Sequence, residues 1–496
     1  MTEGKKWSAT FNAATLTTGS ILLFLPLAPG TAIAQGAGVE VEEPHIPPHV
    51  DVYRLNLGQT EHFSRRLNFE IVGHDYFRGP WLSPFAVANG LGSGFNTPRV
   101  YSGIAYLGGY PNTLFGVLIA DVSNPRHMRP LSFIPCNPGT RCPYLRVNTS
   151  RHILVGTQDQ SSANPNQPPP GEPAHAGVSF YDVSNPRHPV PLGFIETRPD
   201  GKSHGFEIDD NFVYACANTP ESKPPMVEEN MELVIIDYSN AQSPTLVSSL
   251  HIQGEHIGEE FAPQDQLNPD GTPQKIACHE ITKHKDRLYI AFRDAGLVVV
   301  DVSDPSQPSI ISRLDYVPPF NGGGLGAAHT SAPVIADPDK DPTLIVQTDE
   351  IFNCPPGFGR IIDISTLANP MVISNYRLPF IDDNFDFGTG QFVCRAGQES
   401  IHLPWLDFRS PSLLYQAWYD QGVRVWDLSN PFLPREIGYY LSPPYGGGGN
   451  VGRHTREVFQ DRDTGLVYTT DGNGGGLTVL RWTGPIPEHP PIPGAR

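Results

Sequence analysis

Histidines recur along the chain at a spacing that could bring several imidazoles to one place. Each of five stands at the start of a short β-rich run, and the runs lie about 50 to 75 residues apart, at His204, His279, His329, His402 and His454. Neutral imidazole is a common ligand of transition metals. We therefore expect the five histidines to hold a divalent transition metal (Zn, Mn, Fe or Cu), with His279 and His329 as candidate catalytic residues.

Glutamates follow three of these histidines closely. Glu280 comes one residue after its histidine, whereas Glu207 and Glu457 each come three residues after theirs. Side chains alternate between the faces of a strand, so an offset of three points away from the imidazole. We expect these carboxylates to orient the rings rather than to bind the metal themselves.

Charged residues near the ends of other strand-like runs are candidates for contact with a substrate. Carboxylates there could bind a cation or a polar substrate, and arginines could clamp a substrate carboxylate. The candidates are Arg293, Asp294, Asp349, Asp420, Arg453 and Asp471. The alternative for the aspartates is ordinary turn formation, since Asp-Gly and Asp-Gln steps are common in turns.

Two other roles remain open for the histidines. One histidine could serve as a general base without a metal. Alternatively, each ring could hydrogen-bond to the backbone of a neighbouring repeat and serve only to hold the repeats together.

A repeat along the chain would position these residues. Six β-rich runs each end in an aspartate, about 60 residues from the next, at Asp121, Asp182, Asp237, Asp301, Asp363 and Asp427. Most continue as a Ser-Asn-Pro or Ser-Asp-Pro turn. The backbone N–H groups of this turn can donate hydrogen bonds to the aspartate carboxylate. A seventh copy, Leu477–Leu480, is followed by Arg481 instead. We interpret the repeated aspartates as structural.

Each repeat contains four strand-like runs, which is typical of a propeller blade. The sequence therefore predicts an all-β fold, a seven-bladed β-propeller with four antiparallel strands per blade. The last repeat lacks an obvious fourth strand, and residues 67–73 near the N-terminus have the right pattern to supply it. We expect this N-terminal strand to close the ring and remove its free edge.

The repeat also resembles a known family. The segments Gly116–Pro125, Gly177–Pro186 and Gly296–Pro305 read GVLIADVSNP, GVSFYDVSNP and GLVVVDVSDP. They look like the LVIVD repeat of exported bacterial β-propeller proteins, and the resemblance extends over nearly all of residues 65–483. It implies the fold and export but no particular activity. The departures from its pattern are Glu232 and Phe358 at the usual Gly position, Ala241 in place of Pro, and Arg481 in place of Asp.

Composition excludes some classes of function. The chain has 496 residues with 34 Lys and Arg against 52 Asp and Glu, a net charge of −18, which argues against nucleic-acid binding. Its 49 Gly and 52 Pro disfavour a helical protein. No stretch is long and apolar enough to predict a membrane span.

The N-terminus has the pattern of an export signal. Lys5 and Lys6 precede a short apolar stretch, and Ala32 and Ala34 fit the small residues of a cleavage site. We expect a signal peptide over 1–34, an extended arm over 35–64, the propeller over 65–483 and a Pro-rich tail over 484–496. The mature protein is then expected to be periplasmic or extracellular.

Export also bears on the cysteines, because an oxidising compartment favours disulfides. The chain has six cysteines, which allow 15 pairings, and Cys136 with Cys142 is the pair that we predict.

Together these features predict an exported metal-dependent enzyme, a lyase, a hydrolase or an oxidative-cleavage enzyme. Its ligand would be a small molecule or an oligosaccharide, with neither nucleic acid nor a membrane span involved. The alternative is a non-catalytic interaction module that binds protein or glycan through its loop-rich face.

Overall fold

The computed structural model describes residues 54–224, 230–267, 273–315, 328–352, 356–379, 385–386, 391–392, 400–444 and 453–488. These residues belong to one compact unit, Gln35–Arg496. The predicted signal peptide, most of the predicted arm, the end of the predicted tail, Cys354 and Cys394 lie outside the described residues. The described end of the arm contains a short helix, α1 (Leu57–His62), where an extended segment was expected.

The described residues form an all-β fold of antiparallel strands. The first two strands are β1 (Arg65–Leu67) and β2 (Phe69–Asp75). A short helix, α2 (Pro84–Ala88), separates them from the groups of strands that follow.

Consecutive strands pair into groups, which we number along the chain. Group 1 is β3 (Phe95–Tyr101), β4 (Ile104–Gly109), β5 (Gly116–Asp121) and β6 (Arg129–Pro135). After the two-residue β7 (Thr140–Arg141), group 2 is β8 (Leu145–Asn148), β9 (Ile153–Gln160), β10 (His175–Asp182) and β11 (Val190–Pro199), and β7 also pairs with β9. Group 3 is β12 (Ser203–Ile208), β13 (Phe212–Ala217), β14 (Glu232–Asp237) and β15 (Thr245–Leu250). Group 4 is β16 (Ile276–His284), β17 (Arg287–Arg293), β18 (Leu297–Asp301) and β19 (Ser309–Leu314).

The remaining groups follow the same order of pairing. Group 5 is β20 (Ala328–Pro333), β21 (Leu344–Asp349), β22 (Gly359–Asp363) and β23 (Met371–Tyr376). After a small hairpin, β24 (Phe385–Asp386) with β25 (Gln391–Phe392), group 6 is β26 (Ile401–Leu406), β27 (Leu413–Trp418), β28 (Gly422–Asp427) and β29 (Arg435–Leu441). Group 7 is β30 (Thr455–Gln460), β31 (Val467–Asp471) and β32 (Gly476–Trp482).

Strands from the start of the chain join the last two groups. β1 pairs with β29, and β2 pairs antiparallel with β32 from Phe69 opposite Trp482 to Asp75 opposite Leu477. Groups 4 and 5 are connected by a single residue pairing between Arg293 and Ala328.

The repeated aspartates have the structural role that the sequence predicts. At the end of the third strand in groups 1 to 6, the aspartate carboxylate accepts the backbone N–H two residues later, at 2.7 to 3.1 Å. The carboxylate thus replaces a backbone acceptor in the turn.

The third strands are buried on both faces, which explains their uninterrupted apolar runs. In β18, Val298 and Val300 pack with residues of group 3, whereas Leu297 and Val299 pack with residues of group 5. Burying a side chain of this size contributes about 1.5 to 3 kcal/mol. The core therefore consists of apolar layers between neighbouring sheets.

Two disulfides connect described residues. The predicted Cys136–Cys142 bond is confirmed, with Cα atoms 5.8 Å apart. The second, Cys216–Cys278, joins β13 to β16 across neighbouring groups, with Cα atoms 5.1 Å apart. Within the described part of the chain, no helix has both the length and the apolar character that crossing a membrane requires.

Candidate functional site

Four of the five predicted histidines lie in one contiguous arc. Each is the second residue of the first strand in its group, except His279, which is the fourth residue of β16. The ring centroids are 4.6 Å apart for His204 and His279, 4.4 Å for His279 and His329, and 4.3 Å for His329 and His402. All four rings are buried.

Tyrosines extend the arc at both ends. Tyr419 lies between His402 and His454, with ring centroids 4.9 and 4.7 Å away. Tyr144 lies beside His204 at 4.6 Å. The sequence analysis did not select Tyr419, which directly follows the second strand of its group.

Hydrogen bonds to backbone carbonyls set the tautomer of two rings. Nδ1 of His279 lies 3.4 Å from the carbonyl oxygen of His329, and Nδ1 of His402 bonds to the carbonyl oxygen of Arg456. Because a carbonyl can only accept, Nδ1 carries the proton and Nε2 keeps its lone pair. Among the described residues, neither Nε2 has a hydrogen-bond partner.

Burial keeps these imidazoles neutral. It lowers the pKa of His279 well below its usual value, and the charges of Arg293 and the neighbouring histidines add to the effect. Burial likewise lowers the pKa of His402 and His454, with a further contribution from Arg456. Neutral imidazole is the form that binds a metal.

Glu350 is a candidate ligand that the sequence analysis did not select. It follows β21 directly, and its carboxylate oxygens lie 3.6 Å from Nε2 of His329 and 3.8 Å from Nε2 of His402. Its other partners include Arg293 at 3.2 Å. One ligand atom each from His279, His329 and Glu350 lie within 4.8 Å of one another, which forms a first possible metal set.

Glu280 is a candidate metal ligand, whereas the sequence analysis expected it to orient an imidazole ring. It forms a second possible set with His204 and His279, again within 4.8 Å. The register of β16 against β17 shifts between Ile276 and Glu280, and this irregularity breaks the simple alternation of faces. Burial raises the pKa of Glu280 to about 8.

Glu207 and Glu457 pair with arginines. Glu207 lies 3.2 Å from Arg146, and Glu457 lies 2.7 Å from Arg99. The carboxylate that orients His204 is instead Asp159, 2.8 Å from Nδ1 of that ring. Asp159 in turn pairs with Arg141 at 3.1 Å.

The arc faces a cavity of about 210 Å³. Its wall is made by Asn96, Tyr110, Arg141, Pro143, Tyr144, His204, His279, His329, Glu350, Phe352, Tyr419, His454 and Arg456. Arg456 donates to Asn96 Oδ1 and to the Tyr419 hydroxyl, both at 2.7 Å. The wall thus combines imidazole and carboxylate groups with a partly buried cation.

The six predicted substrate-binding residues are absent from the part of the cavity wall that the structure describes. Asp294 accepts the backbone N–H of Lys275, and Asp349 pairs with Arg360, both at 2.8 Å. Asp471 accepts backbone N–H groups from 2.7 to 3.1 Å, and burial raises its pKa to about 6.

The other three have similar contacts inside the protein. Arg293 pairs with Glu350, and Arg453 donates to the carbonyl oxygens of Ser442 and Asp420. Asp471 accepts backbone N–H groups within its own turn, whereas Asp294 and Asp349 bond to residues outside theirs. Arg293 contacts the site through Glu350, and Asp471 contacts it through the backbone N–H of His454.

Comparison with known proteins confirms the repeat and an all-β, propeller-like fold. The LVIVD repeat matches residues 227–251 and 286–315, so the chain contains LVIVD repeats. The β-propeller domain of Cps50 (Swd1) from Myceliophteria thermophila is similar in structure, with a TM-score of 0.50 at 10% identity, covering 83% of this chain and 99% of that one.

Two further solved structures are similar at a lower level. One is a protein from Lactobacillus plantarum, with a TM-score of 0.48 and 13% identity over 80% of this chain and 96% of that one. The other is U3-55K, with a TM-score of 0.49 and 9% identity over 83% and 98%. No curated protein matches the chain.

Proposed function

We propose that the strand groups are seven blades of one closed β-propeller. The first strands of successive groups contact one another, and β30 of group 7 contacts β3 of group 1, which supports a ring. The pairing of β2 with β32 supplies group 7 with its fourth strand and supports closure by the N-terminal segment. The histidine arc then lies where the innermost strands meet, at one end of the central channel.

We further propose that this arc binds one divalent transition metal and that the protein is a metal-dependent enzyme acting on a small polar substrate. The observation that carries this proposal is the pair of buried, neutral imidazoles, His279 and His402, whose Nε2 atoms lack hydrogen-bond partners among the described residues. A buried polar atom without a partner costs free energy, and a metal ion would remove that cost.

The chain's own groups have separable roles in this proposal. His279, His329 and Glu350 are the favoured ligands, and His204 and Glu280 offer a neighbouring set. His402, whose Nε2 lies 3.8 Å from Glu350, would be a further ligand of the same ion. A bound metal would supply Lewis-acid activation of a substrate oxygen or a water molecule. Arg456 provides the positive charge that would hold an anionic or strongly polar substrate group.

Two alternatives make different predictions. The fold and its repeats are also compatible with a non-catalytic interaction module or scaffold, which would need no metal. The backbone contacts of His279 and His402 are what a purely structural role for these rings requires. An experiment must therefore separate ligand loss from loss of these contacts.

The variants His279→Asn and His402→Asn make that separation. Asparagine keeps an amide donor near the position of Nδ1 but removes Nε2. The metal content of untagged protein loaded with Zn²⁺, Mn²⁺, Fe²⁺ or Cu²⁺ should fall by about one equivalent per chain in each variant. Circular dichroism should show both variants folded.

The matched control is His284→Asn, at the last residue of the same strand β16, where the side chain is only partly buried. It should leave the metal content unchanged. Equal metal content in wild type and both arc variants would reject the metal site. If both arc variants unfold and loading with metal does not change the metal content of the protein, a structural role for these histidines would be favoured.

A further inference from the structure

A second cluster of imidazoles and carboxylates lies outside the cavity, where β15 leads towards β16. His251 and His256 stack with ring centroids 3.6 Å apart and an angle of 15° between the planes. Nε2 of His256 lies 3.0 Å from Glu232 Oε1, and Nε2 of His251 lies 3.2 Å from Glu259 Oε1. Both rings therefore direct Nε2 towards a carboxylate.

The sequence position of Glu232 is unusual. It begins the third strand of group 3, where other groups have a glycine such as Gly177, Gly296 or Gly422. At those glycines a Cβ would approach a carbonyl oxygen of the neighbouring strand to 2.1 or 2.2 Å. Group 3 departs from this arrangement and places a fully buried carboxylate at the same position.

Two carboxylates of the cluster retain oxygens without hydrogen-bond partners. Glu232 Oε1 accepts from Thr219 and His256, but Oε2 has no partner among the described residues. Glu255 is also fully buried, and its Oε1 has no partner there either. The cluster therefore carries more acceptor oxygens than its own donors satisfy.

We propose that Glu232, His251 and His256 bind a second divalent transition metal ion of the zinc type. One ligand atom from each of the three residues lies within 4.8 Å of the others. Imidazole nitrogen with carboxylate oxygen is a donor set that suits Zn²⁺ rather than Ca²⁺ or Mg²⁺. The side chains of His251 and His256 are 30% and 20% exposed, which leaves a route for an ion from solvent.

The ion would have a structural role. Glu232 belongs to β14, whereas both histidines belong to the segment after β15, so a shared ion would tie that segment to the sheet. His256 also bridges to Ser222, and Glu255 accepts the backbone N–H of Lys223 through its carbonyl oxygen. Through these contacts the ion would also stabilise the segment around Ser222.

The test uses the full chain, stripped with chelator, dialysed and titrated with Zn²⁺ by calorimetry. His251→Gln and His256→Gln change partly exposed side chains, and Glu232→Gln changes the buried one while preserving its shape. We expect each variant to bind one zinc equivalent fewer than wild type, or to bind it at least tenfold more weakly. Zn²⁺ should also raise the melting temperature of wild type more than that of the variants.

Two controls separate this site from other sources of binding. His175 pairs with Glu196 on the surface, without a buried carboxylate, so His175→Gln should leave zinc binding unchanged. The double variant His279→Asn/His402→Asn should retain the second site, which makes the result independent of the cavity.

Equal zinc uptake and equal thermal shifts in wild type, His251→Gln and His256→Gln would overturn the proposal. Binding of Ca²⁺ or Mg²⁺ as tight as that of Zn²⁺ would overturn the assignment to a transition metal.

Discussion

The Nδ1 atom of His279 lies 3.4 Å from the backbone carbonyl oxygen of His329, so one ring of the arc is oriented by the backbone that carries the next. His402 has the same relationship with Arg456. The arc is therefore positioned by the packing of first strands rather than by loops. Sites on strands are held more precisely than sites on loops, which is what metal binding requires.

The buried ion pair between Arg99 and Glu457 should contribute strongly to the stability of the fold. Replacing Arg99 by Met leaves the Glu457 carboxylate buried without its partner, because the two side chains are only 4% and 5% exposed. We expect the free energy of unfolding to fall by about 3 to 5 kcal/mol. The control is Arg481→Met, which breaks an exposed pair with Glu70 and should cost at most about 1 kcal/mol. Equal losses in urea unfolding would contradict the prediction.

The disulfide between Cys216 and Cys278 should stabilise the fold more than the one between Cys136 and Cys142. Their sequence separations are 62 and 6 residues, and a longer closed loop restricts the unfolded chain more. We expect double Cys→Ala variants to lose about 4 and about 2 kcal/mol, respectively. Denaturant unfolding under non-reducing conditions measures both values. The reverse order would show that loop closure does not govern their contributions.

Gly296 should tolerate no side chain. Its φ is +76°, and a Cβ there would lie 2.1 Å from the carbonyl oxygen of Leu314. Gly90 has a similar φ of +69°, but a Cβ at that position would have no atom within 4 Å, so Gly90→Ala isolates the cost of the backbone conformation. We expect Gly90→Ala to cost about 1 to 2 kcal/mol and Gly296→Ala about 2 kcal/mol more. Similar melting temperatures for the two variants would disprove the steric argument.

His74 should make the protein sensitive to acid. Burial lowers its pKa from 6.5 to about 3, so below pH 6.5 the unfolded chain takes up a proton that the folded chain does not. The free energy of unfolding should therefore fall as the pH drops from about 6.5 towards 3. Between pH 7.5 and 5.5, His74→Gln should remove about 1 kcal/mol of this loss.

The control for His74 is His188→Gln, which changes an exposed histidine in the turn after β10. It should leave the pH dependence of unfolding as it is in wild type. An unchanged pH dependence in His74→Gln would show that this histidine does not link proton uptake to unfolding.

The sequence alone was sufficient for features that depend on local chemistry or on the repeat. The Asp-turn contact of Asp301 follows from its neighbours, and the close pair Cys136 and Cys142 needs little chain to join. The proximity of His279 to His329 follows from equivalent positions in successive repeats.

Features that depend on several groups at once could not be derived in this way. Glu350 and Tyr419 reach the site because second strands of groups 5 and 6 end beside it, and no local pattern marks them. Glu280 differs because a register irregularity in β16 changes which side it faces. Cys216–Cys278 was one of many possible pairings, which spacing cannot rank.

The pairing of β2 with β32 has a consequence for biosynthesis. Arg481 and Glu70, on these two strands, are 411 residues apart in the chain. The strand β2 is translated early and therefore has no partner strand until nearly the whole polypeptide has been made. Contacts between such distant residues form slowly, and an unpaired strand edge attracts other chains. A nascent chain halted before Gly476 would thus carry two unsatisfied edges, and a chaperone that shields Phe69–Asp75 would act at the point of greatest risk.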